Sequence, residues 1–245
     1  MTLTITNREL RLEVAHNVRH IGGYRTADGR STSDTVIRSA GLHRLTATGL
    51  GTLADHGVDV IVDLRSQVER ERDVTPDPAT AGIRHVFAPV FEEDHSPVAM
   101  DAEFPGYYVV YQRMLESGHN AYRTLFETIE NTDGRVLFHC SAGKDRTGIG
   151  AALMLGLAGV EERVIVEDYA VSYDLLAPLL DEWLPKMAER GIDEQRGKQL
   201  MGSPPDAMEN TLAHIQRLYG GPAGYLESIG LSTGTLSAVK AWLFA

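Results

Sequence analysis

The sequence predicts an α/β protein with a central, mostly parallel sheet of four to five strands, flanked by helices and followed by a helical C-terminal third. Two observations predict this fold. Up to residue 139, short runs rich in β-branched residues alternate with longer helical patterns. Beyond residue 146 only helical patterns remain. No repeat, low-complexity stretch or flexible linker divides the chain. We therefore expect one domain over residues 1–245, with a helical extension from about 174 to 245 packed on the core.

The strands and helices follow from local patterns along the chain. Residues 10–18 alternate weakly, which is compatible with a short edge strand. The 58–65 run VDVIVDLR is nearly continuous in β-branched residues, as expected of a strand buried on both faces. The other strands are predicted at residues 35–39, 83–89 and 135–139. Helices are predicted at residues 42–56, 67–73, 107–116, 121–130, 147–159, 161–173, 175–190, 204–219, 224–229 and 232–244.

Composition limits the classes of partner. The net charge is −11 at pH 7, which argues against nucleic acid as a partner, because proteins that bind nucleic acid usually present a basic face. The chain has one cysteine, so no intrachain disulfide is expected, and this suits a reducing compartment. We find no Sec-type signal and no apolar window long enough to span a membrane. We expect a cytoplasmic protein, or one exported without a recognisable signal peptide.

One stretch, VLFHCSAGKDRTG at residues 136–148, carries the chemistry. A predicted strand leads Cys140 into a turn of small residues, and Arg146 follows after five intervening residues, where a helical pattern begins. A phosphate monoester needs donors that converge on its oxygens. The N–H groups of the turn can point inward as a nest, and the helix adds its positive end. Arg146 supplies a planar fork for two phosphate oxygens. The residues expected to bind substrate are Ser141, Ala142, Gly143, Lys144 and Arg146.

Cys140 is the candidate nucleophile. A helix N-terminus and adjacent cations favour the thiolate form of a cysteine. The thiolate can attack phosphorus and form a thiophosphate intermediate, which water then hydrolyses. Asp145 is the candidate general acid for the leaving oxygen, a role that contributes about 10²–10⁴-fold to rate. Asp94 and Asp101, in an acidic and irregular loop at residues 90–106, remain alternative acids.

Three further residues are expected to support the site. His139 is predicted to be buried and to hydrogen-bond the loop. We expect no metal there, because no second His or Cys has ligand spacing in the sequence. Thr147 is expected to donate to the Cys140 sulfur, to cap the helix, or to do both. Asp63, next to Arg65, ends a strand at the same sheet edge, and both a catalytic role and a salt bridge remain open.

Beyond these residues, HCSAGKDRTG resembles the signature of protein tyrosine phosphatases, and its Lys-Asp pair resembles the PtpB/LipA branch of bacterial tyrosine phosphatases. NVRHIGGYRT (17–26), IRSAGLHRLT (37–46), VDVIVDLRS (58–66) and YGGPAGYLESIGLS (219–232) resemble other blocks of that branch. The resemblance implies a dual-specificity-phosphatase-like fold, no cofactor, and phosphotyrosine in proteins or peptides as substrate, with inorganic phosphate as product. Some members also accept phosphoserine, phosphothreonine or phosphoinositides.

The resemblance also implies residue roles. Cys140 matches the nucleophile, Arg146 the phosphate clamp and Asp145 the acid. Lys144 matches a position linked to lipid-like substrates, and Asp63 an acidic position that faces the active site. Many tyrosine phosphatases carry the acid on an upstream Trp-Pro-Asp loop. Both tryptophans here follow the site, which favours Asp145. The branch usually has Asp where His20 stands.

Three functions are therefore compared. The first is a tyrosine phosphatase, with dual specificity as an extension. The second is a phosphoinositide phosphatase. The third is a phosphate-binding module without turnover, for which we would expect the nucleophile, the clamp or the acid to be missing. Tyr107, Tyr108 and Tyr111 follow the acidic loop, and we expect them to pack in the core or in a lid, with stacking on a substrate ring as the alternative.

Overall fold

The computed structural model describes residues 8–10, 12, 14–93 and 104–245. Five strands in these residues form one sheet in the order β1-β2-β5-β3-β4. They are β1 (Arg19–His20), β2 (Val36–Ser39), β3 (Val58–Asp63), β4 (Arg84–Phe87) and β5 (Arg135–His139). β1 runs antiparallel to β2, and all other neighbours are parallel. The predicted mostly parallel sheet is confirmed, and its central strand β5 leads directly into the 140–146 loop.

Helices cover both faces of the sheet. They are α1 (Ala47–Asp55), α2 (Gln67–Arg72), α3 (Tyr107–Ser117), α4 (His119–Glu130), α5 (Asp145–Ala158), α6 (Glu162–Ala170), α7 (Ser172–Leu175), α8 (Ala177–Ala188), α9 (Glu194–Met201), α10 (Pro205–Tyr219), α11 (Pro222–Ser228) and α12 (Thr233–Trp242), with a 3₁₀ turn at Pro78–Ala81. None of these helices in the described part of the chain combines the length and apolar character that a membrane crossing needs.

Successive side chains along the central strands face two different apolar clusters, one on each side of the sheet. Val60, Val62 and Phe138 face the larger cluster, which includes side chains from α3 to α6 and α10 to α12. Ile61 and Leu137 face a smaller cluster that α1 covers. Alternate side chains of a strand point to opposite faces, so a sheet buried on both sides needs these continuous apolar runs. Because the larger cluster extends from the sheet to the last helix, we propose that the chain is a single domain.

α8 and α9 form a separate apolar cluster beside the 140–146 loop. Leu180, Met187 and Leu200 are buried together in it. Leu176 and Leu179, at the start of α8, pack against Ala142 of the loop itself. The helical extension therefore contacts both the core and the site.

Some local predictions were wrong. Residues 10–18 form no regular strand where the structure describes them, because Val14 and Asn17 have φ values of 58° and 55°, which interrupt an extended chain. α9 was missed because its sequence is largely polar, although Asp193 caps its N-terminus through the N–H of Arg196. α5 begins at Asp145, two residues earlier than predicted. The predicted acidic loop lies largely outside the described residues, as do Asp94 and Asp101.

Candidate active site

The 140–144 loop joins β5 to α5 at the carboxyl edge of the sheet. Its backbone carbonyl groups are held from outside. The oxygen of Ser141 accepts from the N–H of Gly41 at 2.9 Å. The oxygens of Ala142 and Gly143 each accept from the Asn17 side chain at 3.0 Å. The C=O and N–H of a trans peptide point in opposite directions, so these contacts turn the N–H groups of residues 142–144 inward.

Gly143 is required by this turn. Its φ is +66°, in the left-handed region, and an added Cβ would lie 2.2 Å from the backbone oxygen of Ser39. The loop thus presses against the end of β2, and only glycine fits.

A buried ion network braces the loop from behind. Arg38 donates to the oxygen of Gly143 at 2.9 Å and to the carboxylate of Asp168, on α6. Arg19 donates to the same carboxylate at 3.0 Å and also contacts the Asn17 side chain. Burial raises the pKa of Asp168, but the two guanidinium groups lower it by more, so the carboxyl stays ionised. Burial and the neighbouring Arg19 lower the pKa of Arg38 to about 10, which leaves it charged at neutral pH.

Arg146 is fixed by Glu69, a residue that the sequence analysis missed. Its two terminal nitrogens donate to the Glu69 carboxylate at 2.5 and 2.8 Å. Burial raises the pKa of Glu69, but the hydrogen bonds and charge of Arg146 lower it by more, so the pKa falls to about 2. Glu69 also accepts from the N–H of Ser66 at 2.9 Å, in a capping box at the start of α2. The Ser-x-x-Glu pattern at residues 66–69 could have indicated the capping box. The pairing of Glu69 with Arg146 could have been expected only from the general need of a buried arginine for a counterion.

Asp145 is the first residue of α5 and lines the same pocket as Cys140 and Arg146. Its carboxylate accepts from the Tyr111 hydroxyl at 2.5 Å, and the Tyr169 hydroxyl lies 2.7 Å from that of Tyr111. Asp145 retains 20% side-chain exposure, whereas Cys140 is buried. The structure therefore brings the predicted nucleophile, clamp and acid together.

Lys144 has a different environment from the one expected. Its ammonium group is buried and donates to the carbonyl oxygens of Leu200, at 3.1 Å, and Gly202, at 2.6 Å. It also donates to the Tyr107 hydroxyl at 3.2 Å. Burial lowers the pKa of Lys144, but Asp145 and Tyr107 raise it by more. The side chain binds the C-terminal end of α9 and is not among the described residues that line the pocket, so the predicted substrate contact of Lys144 stays a prediction for its backbone N–H.

His139 is a buried histidine that bonds the loop, as predicted, with its Nδ1 3.1 Å from the carbonyl oxygen of Cys140. Thr147 does not cap α5, which has Lys144 at the N-cap position. Its buried hydroxyl has no hydrogen-bond partner in the described residues, so the expected bond to the Cys140 sulfur is not formed either. The physical reason is the earlier start of α5, which places Thr147 inside the helix.

Asp63 forms the salt bridge that the sequence analysis left open. Its carboxylate is fully buried and pairs with Arg65 at 2.7 Å. The argument that no second histidine could join His139 fails in three dimensions, because β4 brings His85 next to Asp63 and His139. Sequence spacing does not detect ligands that come from adjacent parallel strands.

The pocket over Cys140 is nearly closed. Its lining includes the apolar groups of Phe104, Tyr107, Val110, Met114 and Leu200. Its free volume is about 20 Å³, which accommodates about one water molecule. Tyr107 and Tyr111 thus pack around the site, as expected for a lid or core role. Leu200 of α9 is part of this lining, and Lys144 holds the end of α9 beside the pocket.

Comparison with known proteins agrees with this geometry. The family model described as "Tyrosine phosphatase family" matches residues 10–245. The chain belongs to the tyrosine phosphatase family. A tyrosine-protein phosphatase of Nostoc commune is 33% identical over 223 residues, which are 85% of this chain and 74% of the relative. The triple specificity protein phosphatase PtpB of Mycobacterium tuberculosis is 26% identical over 246 residues, or 84% of this chain and 89% of the relative. The protein is therefore an enzyme, a protein tyrosine phosphatase.

Among solved structures, that of Pseudomonas aeruginosa TpbA covers 74% of this chain and 88% of its own, with 16% identity and a TM-score of 0.32.

Proposed function

We propose that the enzyme hydrolyses phosphotyrosine in proteins or peptides through a phosphocysteine formed on Cys140. The observation that carries this proposal is the loop. Its N–H groups at residues 142–144 turn inward, and Arg146, held by Glu69, lines the same pocket. Such a cradle supports the binding of a dianion directly at the sulfur.

In the proposed first step, the Cys140 thiolate attacks phosphorus, and the bond from phosphorus to the tyrosine oxygen breaks as the sulfur–phosphorus bond forms. Asp145 donates a proton to the departing oxygen. In the second step, Asp145 accepts a proton from a water molecule whose oxygen attacks phosphorus. Inorganic phosphate leaves and the thiolate is restored. Arg146 and the loop N–H groups stabilise the charge on the phosphoryl oxygens in both steps.

The pocket favours an aromatic ester. Cys140 is only 1% exposed, so a substrate has to extend past the apolar rim formed by Phe104, Tyr107 and Leu200. A phenyl ring has the length and the apolar surface for this path, whereas a serine phosphate is shorter and more polar. Phosphotyrosine is therefore the proposed preferred substrate.

Phosphoinositides and phosphoserine or phosphothreonine are the second candidate, since the M. tuberculosis relative is named for triple specificity. Lys144 gives this candidate no support, because its ammonium group already binds two carbonyl oxygens. We expect Lys144→Ala to change the rates on a phosphotyrosine peptide and on a phosphoinositide by the same factor. A loss of rate on the phosphoinositide alone would instead indicate that Lys144 contacts lipid substrates.

A substrate panel on the wild type and Cys140→Ser tests the proposal. The wild type should release phosphate fastest from phosphotyrosine peptides, and Cys140→Ser should release none while still binding the peptide. Turnover in Cys140→Ser would refute the role of the cysteine. Tight peptide binding by the wild type without phosphate release would favour the non-catalytic binding module.

A further inference from the structure

Three potential metal ligands converge behind the phosphate-binding loop. Asp63 ends β3, His139 ends β5, and His85 lies on β4. Asp63 is the register partner of His139, and Ile61, two residues before Asp63, is the partner of His85. All three side chains therefore project from the same face of the sheet. Their ligand atoms lie within 4.8 Å of one another, and the Asp63 Oδ2 is 3.8 Å from the Nε2 of each histidine.

Both histidines turn an unpaired ring nitrogen toward Asp63. The Nε2 atoms of His85 and His139 are buried and have no hydrogen-bond partner among the residues that the structure describes. The Nδ1 of His139 faces the carbonyl oxygen of Cys140, which only accepts, so Nδ1 carries the proton and Nε2 a lone pair.

The two Nε2 atoms thus lie 3.8 Å from the Asp63 carboxylate without a hydrogen bond to it. Buried polar atoms are rarely left in this state, because each loses its interaction with water without gaining another. A cation between them would give each Nε2 a partner and would add to the contacts of Asp63, which already accepts from Arg65. Two imidazoles and one carboxylate form a ligand set typical of Zn²⁺. The N–H of a metal-bound histidine commonly donates to a backbone carbonyl, as His139 does here.

We propose that Asp63, His85 and His139 bind a divalent transition-metal ion of the Zn²⁺ type. Tetrahedral metal–ligand bonds of about 2 Å place ligand atoms about 3.4 Å apart, so the two 3.8 Å separations from the Asp63 Oδ2 would have to close by about half an ångström. The His85 side chain is 23% exposed, which provides a path for the ion and a position for water as a fourth ligand.

The charge around the site limits its affinity. Arg65 pairs with the Asp63 carboxylate at 2.7 Å, and the Arg70 guanidinium lies 3.8 Å from the same oxygen. These cations repel a metal ion, so we expect a dissociation constant in the micromolar range, far weaker than that of structural zinc sites. The bound ion would link β4 to the ends of β3 and β5, next to the residue that precedes Cys140.

Binding is tested in the Cys140→Ser background, because a free thiolate would itself bind zinc. Calorimetry with Zn²⁺ should give one site, and Co²⁺ should give the visible absorption of a low-coordinate nitrogen and oxygen site. Adding His85→Gln should weaken binding on the order of 100-fold or more, because a ligand is lost. His214→Gln, which alters a largely buried histidine on α10, is the matched control and should leave binding unchanged.

A thermal readout separates this site from adventitious surface binding. Zn²⁺ should raise the Tm of Cys140→Ser and of its His214→Gln derivative, but not that of its His85→Gln derivative. In the otherwise wild-type enzyme, His85→Gln should keep phosphatase activity, which shows that the variant folds. No Zn²⁺ binding by Cys140→Ser, or equal binding with and without His85, would overturn the proposal.

Discussion

The contact between Glu69 and Arg146 makes the sharpest prediction about the site. Glu69→Gln keeps the shape of the side chain and removes its charge. The Glu69 pKa is about 2 in the folded protein against an ordinary value of 4.5, a difference that corresponds to about 3 kcal/mol of folding free energy at neutral pH. The folded-state pKa is the lower one, so this stability is present above pH 4.5 and is lost as the pH falls towards 2. We expect Glu69→Gln to lose about 3 kcal/mol at pH 7, and less than half of that near pH 3.

Urea unfolding at the two pH values measures this loss. Glu71→Gln, an exposed position on the same helix, is the control and should change little. The same variant should lower kcat/KM on a phosphotyrosine peptide by about 10²-fold, because Arg146 loses the group that orients it. A loss below about 1 kcal/mol together with a normal kcat/KM would refute the account of Arg146 as a clamp positioned by Glu69.

Three other variants test the loop and its cover. Asp145→Asn should lower kcat about 10²–10⁴-fold on phenyl phosphate and far less on p-nitrophenyl phosphate, whose leaving group needs no proton; equal losses would remove the acid role. Lys144→Met removes charged hydrogen bonds worth about 1.5–3 kcal/mol from the end of α9, so iodoacetamide should alkylate Cys140 at least about tenfold faster, and an unchanged rate would contradict the closed pocket. Gly143→Ala should abolish phosphate binding measured by calorimetry, whereas Gly51→Ala, which meets open space on α1, should not; retained binding in Gly143→Ala would disprove the requirement for glycine.

The sequence was sufficient to predict those features that depend on local pattern. The strands of the parallel sheet are apolar runs, and residues 140–146 contain nucleophile, turn and clamp within one short segment. Asp145 falls in the pocket because it begins α5, whose N-terminus the turn itself creates.

The residues that shape this segment come from distant parts of the chain. Asn17, Arg38, Glu69 and Asp168 reach the loop or its clamp through the packing of β1, β2, α2 and α6, and local periodicity carries no information about such pairs. Lys144 shows the complementary limit. Its place in the loop and the family resemblance suggested a substrate contact, but the fold brings carbonyl oxygens at the end of α9 within reach of its ammonium group.

The most direct test of the account is to trap the covalent intermediate. The wild type is mixed with a phosphotyrosine peptide, quenched with acid within one turnover, digested, and analysed by mass spectrometry. We predict a phosphoryl group on the peptide that contains Cys140, and none in Cys140→Ser. Rapid phosphate release without any phosphorylated Cys140, or a phosphoryl group on another residue, would contradict the central claim.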